Sequence, residues 1–138
     1  MTIPYDDTIF FPLSTPEAIL ERAESLVGPA CRAQTWFLFL DPDDVQLPLL
    51  VPVENVPSPD DDDLAEGARD VLGSLWRATD AAAIVAVIER PFEVALHPDD
   101  RAWARALRTA AHHEGIDLRA VLLSHDHGVR ALAPDELL

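Results

Sequence analysis

The sequence has no lysine, one cysteine and only five glycines in 138 residues. Each shortage excludes something. The single Cys31 rules out an internal disulfide and any Cys-x-x-Cys pair. The few glycines form no phosphate-cradling loop, and no basic aromatic stripe accompanies them. All ten positive side chains are arginine, set against 25 acids, for a formal net charge of -15. A field of that sign repels phosphate backbones, so direct nucleic-acid binding is not expected. A high-GC coding bias accounts for arginine in place of lysine. No apolar run reaches the length of a membrane span. The N-terminus, MTIPYDDTIFFPL, carries acids where a signal peptide has a basic region. The expectation is therefore a cytoplasmic protein with no membrane partner.

What is present is enough apolar residue, 49%, for a real core. The length fits one domain, expected over residues 14–138 behind an N-terminal arm at residues 1–13. The arm's apolar content is Ile9, Phe10 and Phe11. It either docks over the sheet or reaches for a partner, and the residues do not separate the two.

The first helix is signalled at both ends. Ser14 or Thr15 can cap it, Pro16 suits its first position and Glu17 favours the positive end of its dipole. Ile19, Leu20, Ala23, Leu26 and Val27 recur at helical spacing, and Gly28-Pro29 ends the run. Thr35 to Leu40 reads as a strand covered on both faces. Asp41 to Asp44 is a turn, and Val45 to Val53 returns as the second strand of a hairpin. Pro48 and Pro52 lack the N–H groups a central strand needs, so this strand belongs at a sheet edge or is irregular near the prolines.

After a Pro-rich connection, Asp60 to Asp63 precede a second helix over Asp62 to Arg77. Calcium loops alternate their carboxylates around a glycine turn; a run of four acids instead suits a helix N-terminus. Leu64, Ala68, Val71, Leu72 and Leu75 form its apolar stripe. Gly67 and Gly73 either permit close approach to the sheet or are simply tolerated.

Ala83 to Ile88 is apolar and β-branched throughout, the pattern of a central strand. It is followed by a break at Glu89-Arg90-Pro91. A third helix spans Pro98 to Glu114, capped by His97 and ended by Gly115. Its buried face is Trp103, Ala106, Leu107 and Ala110, opposite Arg105, Arg108 and His112. A strand at Leu118 to Leu123, a turn at Ser124 to Gly128 and a short strand at Val129 to Leu132 complete the chain. The expected fold is α/β (α+β): a mixed central sheet of about five strands flanked by about three helices.

Four side chains invite a metal: His97, Asp100, His125 and His127. Alternate histidines in His125-Asp126-His127 can share one face, but His, Asp and Gly are also ordinary turn residues. Ser124-His125-Asp126 spells a triad only in sequence, whereas a triad is a spatial arrangement. His112-His113 point in two directions and suit the helix's negative end. Cys31 has the context of an ordinary thiol. Glu89 and Arg90 stand at the strand end as interaction candidates, or as an exposed pair of small energetic weight.

The order helix, strand, strand, helix, strand, helix, strand, strand resembles the JAB/MPN fold, and most closely its RadC-like branch. The likeness runs from Pro16 to Leu132. It is carried by the hairpin TWFLFLDPDDVQLPLL and the tail HPDDRAWARALRTAAHHEGIDLRAVLLSHDHGVRAL. The resemblance implies a metalloprotease frame. In that frame a His-x-His pair just after the central strand and a later Asp bind zinc, and a Glu near the second strand is the general base. In this chain Glu89-Arg90-Pro91 occupy the His-x-His position, Asp100 falls near the Asp, and Glu54 lies at the far end of the second strand. The implied member is non-catalytic and holds no cofactor. It acts through a protein partner or self-association, with Phe10, Phe11, Trp36, Trp76 and Trp103 as anchors where exposed. The alternative is a metal-dependent hydrolase, with zinc held by His125 and His127 together with Asp100 or His97.

Overall fold

The structure, a computed structural model, describes residues 12–54, 64–91 and 97–133. The N-terminal arm up to Phe11, the acid run Asp60 to Asp63 and the expected helix start at Asp62 lie outside the described residues.

Among the described residues there are three helices and five strands. In chain order they are α1 (Pro16–Leu26), β1 (Gln34–Leu40), β2 (Gln46–Val53), α2 (Leu64–Ala78), β3 (Ala83–Glu89), α3 (Pro98–Glu114), β4 (Leu118–His125) and β5 (Gly128–Ala131). The strands form one mixed sheet in the order β2-β1-β3-β4-β5. Only β3 and β4 are parallel; the other three pairings are antiparallel. A parallel pair needs a long crossover, and α3 supplies it.

Strand alternation sends every second side chain to each face, and the core is divided accordingly. Phe37, Phe39, Ile84, Ala86, Ile88, Val121 and Leu123 pack with Ala68 and Leu72 of α2 and with Trp103 and Leu107 of α3. Leu38, Leu40, Ala83, Val85, Val87 and Leu122 pack with Leu13 and with Ile19 and Ala23 of α1. The sheet is therefore the middle of three layers. Every residue of β3 is buried, and Ala83 to Ile88 are accordingly apolar at both parities.

The helix signals resolve into specific atoms. Thr15, not Ser14, caps α1: its Oγ1 accepts the Ala18 N–H at 3.1 Å. The His97 ring caps α3 through Nδ1, which accepts the Asp99 N–H at 3.2 Å. Gly115 ends α3 in the left-handed region, with φ 68. One polar residue joins the α1 layer: Arg22 is buried and donates from its guanidinium to Gln46 Oε1.

The prolines of β2 act as both expected alternatives at once. The strand is a sheet edge, and its register against β1 shifts between Leu38, opposite Leu50, and Leu40, opposite Gln46. Pro48 lies within that bulge, and Pro52 lies in the regular part opposite Trp36. Gly73 does not serve the sheet. A side chain there would meet the Arg77 guanidinium, with Nη1 3.0 Å from the Cβ position.

Several bounds shift from the expected ones: β1 begins at Gln34, β2 at Gln46, α2 ends at Ala78 and β5 spans Gly128–Ala131, and two further shifts bear on the sheet end. β3 runs one residue further, so Glu89 is its last residue rather than the first of a break. β4 runs through Ser124 and His125, leaving Asp126-His127 as a two-residue hairpin loop. The causes are pairings on the two sides of β4: Glu89 lies opposite Ser124 in the β3–β4 ladder, and His125 lies opposite Gly128 in the β4–β5 hairpin.

Gly128 follows that loop with φ 130, and a Cβ on it would stand 2.7 Å from Glu24 Oε1. The backbone conformation favours glycine, and a Cβ would also displace the Glu24 carboxylate. Gly128→Ala is expected to lower the urea unfolding midpoint, by about 1–3 kcal/mol in stability. Gly115→Ala, whose Cβ would meet nothing within 4 Å, should cost less.

Candidate functional site

The carboxyl ends of the parallel strands are where open α/β sheets place their ligands. Here those ends are Glu89 of β3 and Ser124 and His125 of β4. Gln34 of β1 is the direct partner of Glu89 on the other side. Gln34, Glu89 and Ser124 thus form a polar row across three adjacent strands, and all three are buried. The row continues the parity of Val87 and Leu122, so it faces the α1 layer. The chain leaving α1, residues 28–33, passes over it.

Glu89 organises this corner. Its side chain is 4% exposed, and both carboxylate oxygens are filled by the protein. Oε2 accepts the backbone N–H of Cys31 at 2.6 Å and of Arg32 at 3.1 Å. Oε1 accepts Gln34 Nε2 and Trp36 Nε1, each at 2.8 Å. The Trp36 contact follows from the register: Trp36 lies two residues along β1 from Gln34, on the same face. Burial pushes the Glu89 carboxyl pKa up. The hydrogen bonds, led by that from Cys31, outweigh burial and hold it below its ordinary value.

The same segment is tied at two further points. Ser124 Oγ donates to the Gly28 carbonyl at 2.7 Å, and the Ala30 N–H donates to the His125 carbonyl at 2.9 Å. Arg90 turns to the opposite face of the sheet. Its Nε and Nη2 donate to the two oxygens of Asp100, both at 2.7 Å. Its N–H donates to the Ser124 carbonyl at 2.9 Å. Planar two-point contact of this kind fixes orientation as well as charge, and it fastens the start of α3 to the end of β3.

These contacts revise the expected roles. Glu89 and Arg90 are not an exposed pair. Each faces a different layer, and each has its own partners. Asp100 is buried and bound to Arg90 in addition to lying in the first turn of α3. Cys31 contributes its backbone; its thiol is exposed, with Sγ 3.7 Å from the Pro29 carbonyl. Glu54 is exposed and pairs with the Arg32 side chain at 3.2 Å.

The four expected metal-ligating residues do not assemble. His97 Nδ1 is the α3 cap, and both Asp100 oxygens hold Arg90. His125 is the last residue of β4 rather than a turn residue. Its Nδ1 accepts the His127 N–H at 3.1 Å, and the two rings lie 6.1 Å apart edge to face. Among the described residues, no group of three or more His, Cys, Asp or Glu side chains is arranged to hold a metal ion. The spelled-out triad likewise fails as geometry, because Ser124 Oγ is engaged with Gly28. The aromatic anchors are also relocated. Trp103 is 1% exposed and donates to Thr35 Oγ1 at 3.1 Å, while Trp36 and Trp76 are half-buried. Phe10 and Phe11 lie outside the described residues. The exposed large apolar residue among those described is Leu49 on the edge strand β2.

No family model matches the chain, and no curated protein matches it significantly. No described helix is long and apolar enough to cross a membrane.

Glu89→Gln tests the corner directly. An amide in either orientation turns its NH2 toward two donors, since each carboxylate oxygen accepts two. At pH 7 the variant is expected to lose about 1–3 kcal/mol of unfolding free energy. A carboxyl whose folded pKa is depressed contributes stability that is complete above its unfolded value, about 4.3, and is lost as pH falls through the folded value. The gap between wild type and variant in urea unfolding should therefore narrow below about pH 4.3.

Proposed function

We propose that this chain is a non-catalytic JAB/MPN-like domain of the RadC-like kind, working in the cytoplasm as a protein-interaction module. The likeness in the order of elements, from Pro16 to Leu132, supports the family. The state of the strand-end corner supports the loss of catalysis. The resemblance puts zinc ligands just beyond the central strand. There, Glu89 spends both oxygens on four internal donors, and Arg90 and Asp100 spend their charges on each other. A catalytic carboxylate needs a lone pair directed at substrate, metal or water. These carboxylates are turned inward and act as fasteners. A surface carrying -15 is suited to a positively charged protein partner and repels nucleic acid and anionic membrane.

The competing reading is a hydrolase with zinc held by His125 and His127 together with Asp100 or His97. Metal analysis of protein purified without chelator separates the two. We expect well under one zinc per chain, unchanged in His127→Ala. Stoichiometric zinc that is lost in His127→Ala would overturn the non-catalytic reading. Affinity capture with the full chain is expected to retain a protein partner or a second copy, and capture of neither would overturn the interaction role.

A further inference from the structure

The exposed side of α1 carries Glu17, Glu21 and Glu24 at successive turns. Like charges at this spacing oppose helix formation, and Glu24 also lies at the wrong end of the dipole. Glu17, in the first turn, is favoured by the dipole, but no cation on α1 offsets the repulsion. Its one cation, Arg22, is buried against Gln46, and its last turn has no basic residue. Among the described residues, Glu17, Glu21 and Glu24 form no ion pair. The chain thus maintains an unfavourable stripe on an otherwise well-capped helix. By contrast, Glu66 and Asp70 of α2 share their helix with Arg69 and Arg77.

This stripe borders a groove of about 480 Å³ between α1 and the edge strand β5, lined by Glu17, Leu20, Glu21, Glu24, Ser25 and Val129. Leu20 and Val129 are its apolar floor, and both are only half-buried. The carboxylate of Glu24 closes the far side. Its Oε2 accepts the Val129 N–H at 2.8 Å, and its Oε1 is seated against Gly128. That bond occupies a donor an added β-strand would need. The groove therefore receives side chains rather than extending the sheet.

Charge selects the occupant. A second copy, at -15, is repelled. Residues 1–11 and 134–138 contain acids and no Lys or Arg, so the chain's own ends do not complement the stripe. We propose that the groove docks a basic amphipathic segment of a partner protein. An apolar side chain of that segment lies over Leu20 and Val129, and its Arg or Lys heads meet Glu17 and Glu21. This assignment rests on the interaction role proposed above and adds its place and its chemistry.

The test uses the full chain, 15N-labelled, titrated with a synthetic amphipathic peptide of Leu and Arg. A second peptide replaces each Leu by Ser at the same charge. Saturable shifts confined to α1 and β5, lost with the Ser peptide, are expected. Glu17→Gln with Glu21→Gln should weaken binding about three- to tenfold and flatten its salt dependence, while Glu66→Gln with Asp70→Asn should not. Shifts spread over the acidic surface, or equal binding of the Ser peptide, mean charge attraction only and overturn the proposal. Affinity capture distinguishes the two levels. A partner retained equally by the Glu17→Gln/Glu21→Gln variant overturns the groove and leaves the interaction role standing. No partner with either protein overturns the role itself.

Discussion

A carboxylate removed from water must be satisfied by the protein or it will not stay ionised. Glu89 meets that condition with four donors drawn from one short stretch of chain: two backbone N–H groups at Cys31 and Arg32, and the side chains of Gln34 and Trp36. The arrangement depends on the fold at every point. Gln34 is opposite Glu89 only because β1 and β3 are in register. Trp36 is within reach only because it shares that face. Cys31 and Arg32 present their N–H groups only because the segment after α1 crosses the sheet end, where Ser124 and His125 also hold it. In turn, the carboxylate fixes that segment and so fixes how α1 leaves its layer.

The other face of the same strand end is fastened separately. Arg90 reaches Asp100 in the first turn of α3, and α3 is the crossover that makes β3 and β4 parallel. One strand terminus therefore joins both helical layers through two adjacent charged residues pointing opposite ways. A corner assembled like this is held by hydrogen bonds on both faces of the sheet. The charges of Glu89, Arg90 and Asp100 are bound to internal partners. The α1 face, where Glu17 and Glu21 form no ion pair among the described residues and stand beside an apolar floor, has the opposite character.

Much of the frame was legible from periodicity alone. The apolar stretch Ala83 to Ile88 marked the central strand because both parities were apolar. Pro48 and Pro52 marked the edge because proline cannot donate to a ladder. Ser14 or Thr15 before Pro16, and His97 before Pro98, marked helix starts through capping chemistry. The corner was not legible in the same way. A Glu after an apolar run reads as the exit from a strand, and the donors that bury it lie 53 to 58 residues away in the chain. Two weak signals existed. Trp36 in a two-face-buried strand needs a partner for its indole N–H, and Gln34 at the strand's start needs partners for its amide. His125 reads as a turn residue for a related reason: His-Asp-His-Gly has turn composition, but pairing with β5 carries the strand through His125. The Arg90–Asp100 contact joins the strand end to a helix start, and no local pattern announces it.

Glu89 stays ionised at the end of the central strand because the chain's own donors surround it. The side-chain carboxyl 13C resonance of Glu89, followed by NMR as pH is lowered, measures this most directly. The account predicts a midpoint below the ordinary glutamate value of about 4.3, with the Cys31 and Arg32 amide resonances moving at the same midpoint. A midpoint at or above that value, or Cys31 and Arg32 amides indifferent to the Glu89 titration, would contradict it.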